Sequence, residues 1–277
     1  RSIKTTSKRW AIDTAITMVD LTTLEGADTP GKVKALCTKA VRPDPTDSTV
    51  PSVGAVCVYN DMVKIACQAL DAGGGKDIPV AAVSTAFPSG RASMEVKVQD
   101  TRDAIANGAS EIDMVIDRGA FLAGKLGFVF DQIKAIKEVC GEKVHLKVIL
   151  ETGELVTLDN VRKASYLAML AGADFIKTST GKVAPAATTP VVYVMLEAVR
   201  DYYKLTGNRI GVKPAGGIRN TKDAIKQLVL VNEIAGPEWL DPSLFRIGAS
   251  ALLNDLLMQR MKMRDGYYAS PNYVTLD

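Results

Sequence analysis

Lys177 stands in the stretch Asp174-Phe175-Ile176-Lys177-Thr178-Ser179-Thr180-Gly181-Lys182. Apolar residues lead in, as in a buried strand; an amine, three hydroxyls, a glycine and a second cation follow. A primary amine held in an apolar wall is a nucleophile when neutral, and the reaction it suits is imine formation with a carbonyl. A glycine turn followed by a lysine suits an anion. The order therefore fits a carbonyl compound with a phosphate tail.

Other charged residues sit between apolar neighbours in the same way. Strand side chains alternate between two faces. Ile112, Met114 and Ile116 form one apolar face, which leaves Glu111, Asp113 and Val115 on the other. Val144, Leu146 and Val148 likewise leave His145, Lys147 and Ile149. Lys213 follows Val212, and Asp20 lies between Val19 and Leu21. Asp113, Lys147, Lys177 and Lys213 are thus expected to enter one interior from consecutive strands, with Asp20 facing them from the first. One inward lysine reads as a satisfied core ion pair. Three against one nearby carboxylate do not, because unpaired charge in a dry interior is costly. Balance then needs Asp20, a bound phosphate or a neutral lysine. Lys177 is the middle of the three, with Lys147 and Lys213 expected at a strand spacing of roughly 5 Å on either side. Like charge and desolvation both favour its neutral form. Asp113 and Lys213 are then placed to move protons, and Lys147 reads as support rather than nucleophile.

Three glycine-bearing turns follow the last three expected strands: Gly181-Lys182, Gly216-Gly217-Ile218-Arg219 and Gly248-Ala249-Ser250. Each alone is ordinary turn geometry. In adjacent loops beside Lys177 they make a phosphate cradle, since N–H groups at helix starts bind phosphate. Metal catalysis is not expected. His145 is the single histidine, early in its strand where a structural part suits it, and Cys37, Cys57, Cys67 and Cys140 show no paired spacing. The cysteines read as reduced core thiols of a cytoplasmic protein.

Positioning these groups requires alternating strands and helices, and that pattern runs from end to end. Strands are expected at residues 15–21, 53–59, 80–84, 111–116, 144–150, 173–177, 210–213 and 244–247. Thr157 and Asn220 are expected to cap the helices that follow them. Eight strand–helix pairs imply a parallel sheet closed as a single-domain (β/α)8 TIM barrel over residues 1–263, with a short N-terminal segment and a flexible C-terminal tail over 264–277. An open doubly wound sheet is the runner-up, but Leu21-Thr22-Thr23-Leu24-Glu25-Gly26 is not the glycine fingerprint it would carry.

The chain has 277 residues, 47% of them apolar and 23% charged, with a net charge of +3. Its lysines and arginines are scattered, so no nucleic-acid face is expected. No apolar run approaches the roughly 18 residues of a membrane span, and no signal core follows the basic start. A homo-oligomer, dimer or tetramer, stays open.

Taken together, these motifs resemble the deoxyribose-phosphate aldolase family. Ile176 through Gly181 and Val212 through Arg219 are similar to its two signatures. Asp20 through Leu24, Glu111 through Ile116, Leu146 through Leu155 and Phe245 through Ser250 are similar too, in order, over residues 12–257. Glu238-Trp239-Leu240 is closer to the eukaryotic branch. The resemblance implies a class I aldolase without metal or other cofactor, cleaving 2-deoxy-D-ribose 5-phosphate reversibly to D-glyceraldehyde 3-phosphate and acetaldehyde. It implies Lys177 as the Schiff-base lysine, with Lys213 and Asp113 tuning it and relaying protons. Asp20, Thr22, Lys147, Thr178, Gly181, Lys182, Gly216, Gly217, Gly248 and Ser250 are the expected contacts for sugar and phosphate. Glu25 and Ala86 stand where bacterial members tend to have asparagine, and Ala251 where they have a second serine. Some members end in a tyrosine that reaches the site; Tyr273 is the first candidate here, with Tyr267 and Tyr268 behind it. The alternative is a catalytically weak, aldolase-like barrel serving as scaffold or regulator.

Overall fold

The computed structural model describes residues 5–270 and Val274. A leading helix α1 (Thr5–Thr17) precedes β1 (Val19–Thr22), α2 (Pro30–Val41), β2 (Ala55–Tyr59), α3 (Val63–Ala72), β3 (Val80–Ser84), α4 (Met94–Ala106) and β4 (Glu111–Val115). There follow α5 (Arg118–Leu122), α6 (Leu126–Cys140), β5 (His145–Ile149), α7 (Leu158–Leu170), β6 (Phe175–Lys177), α8 (Thr189–Thr206), β7 (Gly211–Lys213), α9 (Thr221–Ile234), β8 (Ile247–Ala249) and α10 (Leu252–Asp265). The eight strands form one sheet in the order β7-β6-β5-β4-β3-β2-β1-β8, with parallel pairing throughout. Bridges Val212↔Phe245 and Ala215↔Gly248 join its two ends and close the barrel. No helix among the described residues is long and apolar enough to cross a membrane.

The alternation read from the strands sorts their side chains into two cores. Ile112, Met114 and Ile116 from β4 and its end join Ile133 and Ile136 of α6 in the large outer cluster. Inside the barrel a small apolar group, Leu24, Cys57, Ala81 and Val83, occupies one side. The other side of the interior is charged. Helix starts are set locally: the Thr157 hydroxyl accepts from Asn160 N at the head of α7, and the Asn220 side chain accepts from Asp223 N at the head of α9.

Two expected strands shift. Residues 15–17 belong to α1, and β1 begins only at Val19. Ala11, Ile12, Ala15 and Ile16 are all buried; their spacing is that of one helical face, and α1 packs it against α9 and α10. The last strand begins at Ile247 rather than Leu244, because the Leu244 and Phe245 amides both donate to the Asp241 carbonyl in a turn.

The expected tail starts inside the last helix. Helix α10 continues to Asp265 and ends at Gly266, whose φ of 82° is the left-handed conformation favoured at such stops. A helix of this length carries the chain about 21 Å, from the loop at Ser250 to the amino-terminal end of the barrel. Arg264 there meets Asp44 and Asp47, between α2 and β2. Tyr267 and Tyr268 therefore leave the helix at the end away from the strands' carboxyl ends. The Tyr268 ring lies 3.7 Å from Lys262 Nζ. Tyr273 lies outside the described residues; Val274 is buried against the core.

Candidate active site

The inward residues of five strands meet the side chain of Arg246, just before β8, in one connected cluster. Lys147 Nζ hydrogen-bonds Glu111 Oε2 and lies 3.2 Å from Asp113 Oδ1. Lys213 Nζ lies 2.7 Å from Asp113 Oδ2 and 2.6 Å from Asp20 Oδ2. Arg246 Nη1 reaches Asp20 Oδ1 at 2.7 Å, and its Nη2 reaches Glu111 Oε1 at 3.2 Å. The path Arg246–Glu111–Lys147–Asp113–Lys213–Asp20 returns to Arg246, a closed ring of three cations and three carboxylates. All six residues are buried. Lys177 hangs from this ring by one contact, 2.8 Å from Nζ to the same Asp113 Oδ2 that Lys213 uses.

Charge in this interior is strongly coupled. Burial alone would raise the Asp113 carboxyl, but the ammonium groups of Lys147, Lys177 and Lys213 outweigh it and hold it well below the usual carboxylate range. Asp20 is held low in the same way by Lys213 and Arg246. Burial alone would lower Lys213, but Asp113 and Asp20 reverse that and hold it well above the usual lysine range. Cys57 faces the same interior, with its thiol pushed up by burial.

Lys177 is the member of this group that faces open space. It is the interior lysine at the base of a cavity of about 340 Å³ at the strands' carboxyl ends. Thr22, Gly181, Lys182, Gly216, Gly217, Gly248 and Ser250, all expected near substrate, line that cavity with it. Gly216 has no room for a side chain: its φ is 82°, and a Cβ there would sit 2.7 Å from the Ala186 Cβ. A turn without side chains lets an anion approach the backbone closely, and N–H groups there would suit a phosphate.

The remaining expected residues lie elsewhere. Asp20, Asp113, Lys147 and Lys213 form the ring beneath the cavity rather than its lining. Lys147 does not flank Lys177 at strand spacing. The residue beside Lys177 on β5 is Ile149; Lys147 pairs with Phe175, one layer down, and its Nζ lies 5.9 Å from the Phe175 ring centroid. Thr178 is turned from the cavity. Its hydroxyl donates to Ala215 O at 3.1 Å and accepts from Ala215 N at 2.9 Å, fastening β6 to β7. His145 is exposed at the amino end of β5.

Several residues of the site were not singled out by sequence. Arg246 closes the ring, although a charge between Phe245 and Ile247 signals inward placement. Glu151 has a left-handed backbone, φ 53°, and is buried. It accepts from Thr180 N at 3.1 Å and from the Thr180 hydroxyl at 2.6 Å, and so holds the turn that carries Gly181. At the rim, two residues that the sequence did single out meet: Lys182 Nζ lies 2.9 Å from Glu25 Oε1, across the cavity mouth. Asp28 shapes the loop that presents Glu25, accepting from Thr23 Oγ1 at 2.8 Å, Glu25 N at 2.9 Å and Lys32 Nζ at 2.9 Å. Lys32 and Arg219 add positive charge to the lining.

A primary amine above a buried charge ring and below glycine turns can condense with the carbonyl of a phosphorylated compound. Comparison with known proteins points the same way. Residues 14–257 match the model of the DeoC/LacD family of aldolases. The human deoxyribose-phosphate aldolase is 47% identical over 278 residues, covering 96% of this chain and 87% of the human one. The mouse enzyme of that name is 48% identical, covering 92% of this chain and 82% of its own. A crystal structure from Toxoplasma gondii ME49, given the same name provisionally, superposes with a TM-score of 0.81 at 25% identity, covering 98% and 100% of the two chains.

Proposed function

Because the chain belongs to the DeoC/LacD family of aldolases, we propose that it is a deoxyribose-phosphate aldolase acting through an imine on Lys177. The reaction is the reversible cleavage of 2-deoxy-D-ribose 5-phosphate to D-glyceraldehyde 3-phosphate and acetaldehyde, a step in the breakdown of deoxyribose phosphates. The observation that carries this reading is the position of Lys177: it is the amine of the interior cluster that lines the cavity, with the glycine turns above it.

The chemistry follows from that placement. The neutral Lys177 amine adds to C1 of the open-chain sugar, and loss of water leaves an iminium. Removal of the C3 hydroxyl proton breaks the C2–C3 bond; the electron pair enters the iminium, giving an enamine and releasing glyceraldehyde 3-phosphate. Protonation at C2 and hydrolysis then release acetaldehyde. Asp113, shared by Lys177 and Lys213, stabilises the positive iminium and passes protons to and from Lys213. The N–H groups of the turns at Gly181, Gly216-Gly217 and Gly248 hold the phosphate, with Lys182 and Ser250 at its sides. Most of the phosphate's binding energy then holds C1 against Lys177.

The test is turnover of deoxyribose 5-phosphate in the presence of a chelator, with borohydride trapping of the acetaldehyde adduct. Added mass is expected on the peptide bearing Lys177. Labelling of Lys147 or Lys213 instead, or no turnover, refutes the assignment.

A further inference from the structure

Two members of the buried ring, Glu111 and Arg246, touch neither the cavity nor Lys177. We propose that they are positioning residues for the reaction: by closing the ring into a self-neutral unit, they balance the buried charge that Lys177 meets through Asp113. The proposal rests on Lys177 being the reactive amine.

The geometry carries the argument. Each of the six ring members touches two members of opposite sign. Three positive and three negative charges leave no net charge to compensate. Lys177 has no carboxylate of its own; Asp113 Oδ2 already lies 2.7 Å from Lys213. A proton on Lys177 therefore meets a ring whose own charges already cancel, and that balance changes when one ring member is neutralised. If Arg246 were neutral, the ring would carry one negative charge and would retain the Lys177 proton. If Glu111 were neutral, the ring would carry one positive charge and would expel that proton more readily. The two substitutions thus act in opposite directions, although both remove one partner of the same ion pair.

Other charges near Lys177 are not altered by these changes. They are the buried Glu151 after β5, which holds Thr180, and the rim groups Glu25, Lys182, Lys32 and Arg219. Cys57 on β2 is kept as a thiol by burial.

The experiment uses the full chain and four variants: Glu111→Gln, Arg246→Met, the double variant, and Arg246→Lys. Two readouts are taken: the acid limb of kcat/KM for cleavage, and the pH midpoint for acylation of Lys177 by acetic anhydride, read by peptide mass. The second needs no substrate. Glu111→Gln is expected to move both midpoints down by about one pH unit, and Arg246→Met to move them up by a similar amount. The double variant and Arg246→Lys are expected to return close to the parent. Melting temperatures identify any variant that does not fold; should Arg246→Met fail, Glu111→Gln decides alone. Unmoved midpoints with lower kcat, or displacements of the same sign, overturn the proposal, since a merely structural pair would do that. Opposed acylation midpoints without cleavage of the sugar would leave the ring's role standing and remove the aldolase reading.

Discussion

The floor and the rim of the cavity use the same kinds of charge to different effect. On the floor, five of the six ring members stand on strands whose register places Asp113 beside Lys147 and Lys177 beside Lys213, and Arg246 precedes β8 directly. At the rim, Glu25 and Lys182 also form an ion pair, but their side chains are 64% and 31% exposed and stand on loops. Two unit charges 4 Å apart interact by about 1 kcal/mol in water and about 4 kcal/mol at the effective dielectric of a protein site. Floor charges therefore decide which groups hold protons, whereas rim charges adjust how strongly an anion is drawn in. The contrast also separates ring members from the one amine that is not in the ring.

The sharpest test of that contrast pairs Lys177→Leu with Lys213→Leu. Both should be devastating to cleavage, Lys177→Leu by removing the imine altogether and Lys213→Leu by about 10²–10⁴-fold in kcat. They should part in stability. Lys213→Leu strips Asp20 and Asp113 of a shared cation and should cost about 3–5 kcal/mol, as broken buried pairs do. Lys177→Leu leaves every pair of the ring intact, so its melting temperature should stay close to the parent's. Equal melting losses for the two would erase the distinction between the ring and Lys177.

Next in size is the cradle. Gly216→Ala forces a side chain against Ala186 at a left-handed φ and should displace the turn. KM for deoxyribose 5-phosphate should rise by about tenfold or more, on the order of 1.4 kcal/mol, while kinetics with unphosphorylated deoxyribose stay the same. A parallel loss for both sugars would mean that the turn shapes the floor as well.

Glu25→Gln should do much less. Freeing Lys182 for phosphate should lower KM by no more than about fivefold, since exposed pairs contribute ~0.2–1 kcal/mol. The difference should vanish in about 1 M salt, where the screening length is near 3 Å. A salt-independent effect would place Glu25 with the buried groups.

Smallest of all should be the response of the ring to ordinary changes of pH. Asp113 and Asp20 lie below their unfolded values, so their stabilisation is present above about pH 4 and is lost as pH falls further. Lys213 lies above its unfolded value, so its stabilisation is present below about pH 10 and is lost only as pH rises through the folded value. Titration of Asp20, Asp113 and Lys213 should therefore leave the melting temperature unchanged between about pH 5 and 9. A ring-dependent melting step near neutrality, absent from Lys213→Leu, would contradict this.

How much of this was legible beforehand depends on the range of the physics involved. Helix caps at Thr157 and Asn220 are local hydrogen bonds within three residues, and were readable as such. So was the face on which Glu111, Asp113, Lys147, Lys177 and Lys213 lie, because alternation along a strand has a period of two. The run Asp174–Lys182 with the turns at Gly216 and Gly248 was enough to place an amine next to an anion cradle. Period two says nothing about height, however. The level of Lys147, one layer beneath Lys177, is set by the stagger of neighbouring strands around the barrel. Closure of the ring by Arg246 joins residues 226 positions apart in sequence at Asp20, and the rim pair joins Glu25 to Lys182 across 157. Two tyrosines of the tail had the opposite fate: Tyr267 and Tyr268 looked close to the site in sequence order, but the direction of α10 takes them to the other end of the barrel. Residue type and local period determined which groups could enter the interior; only the closed sheet decided which of them touch, and so which lysine is left without a carboxylate of its own.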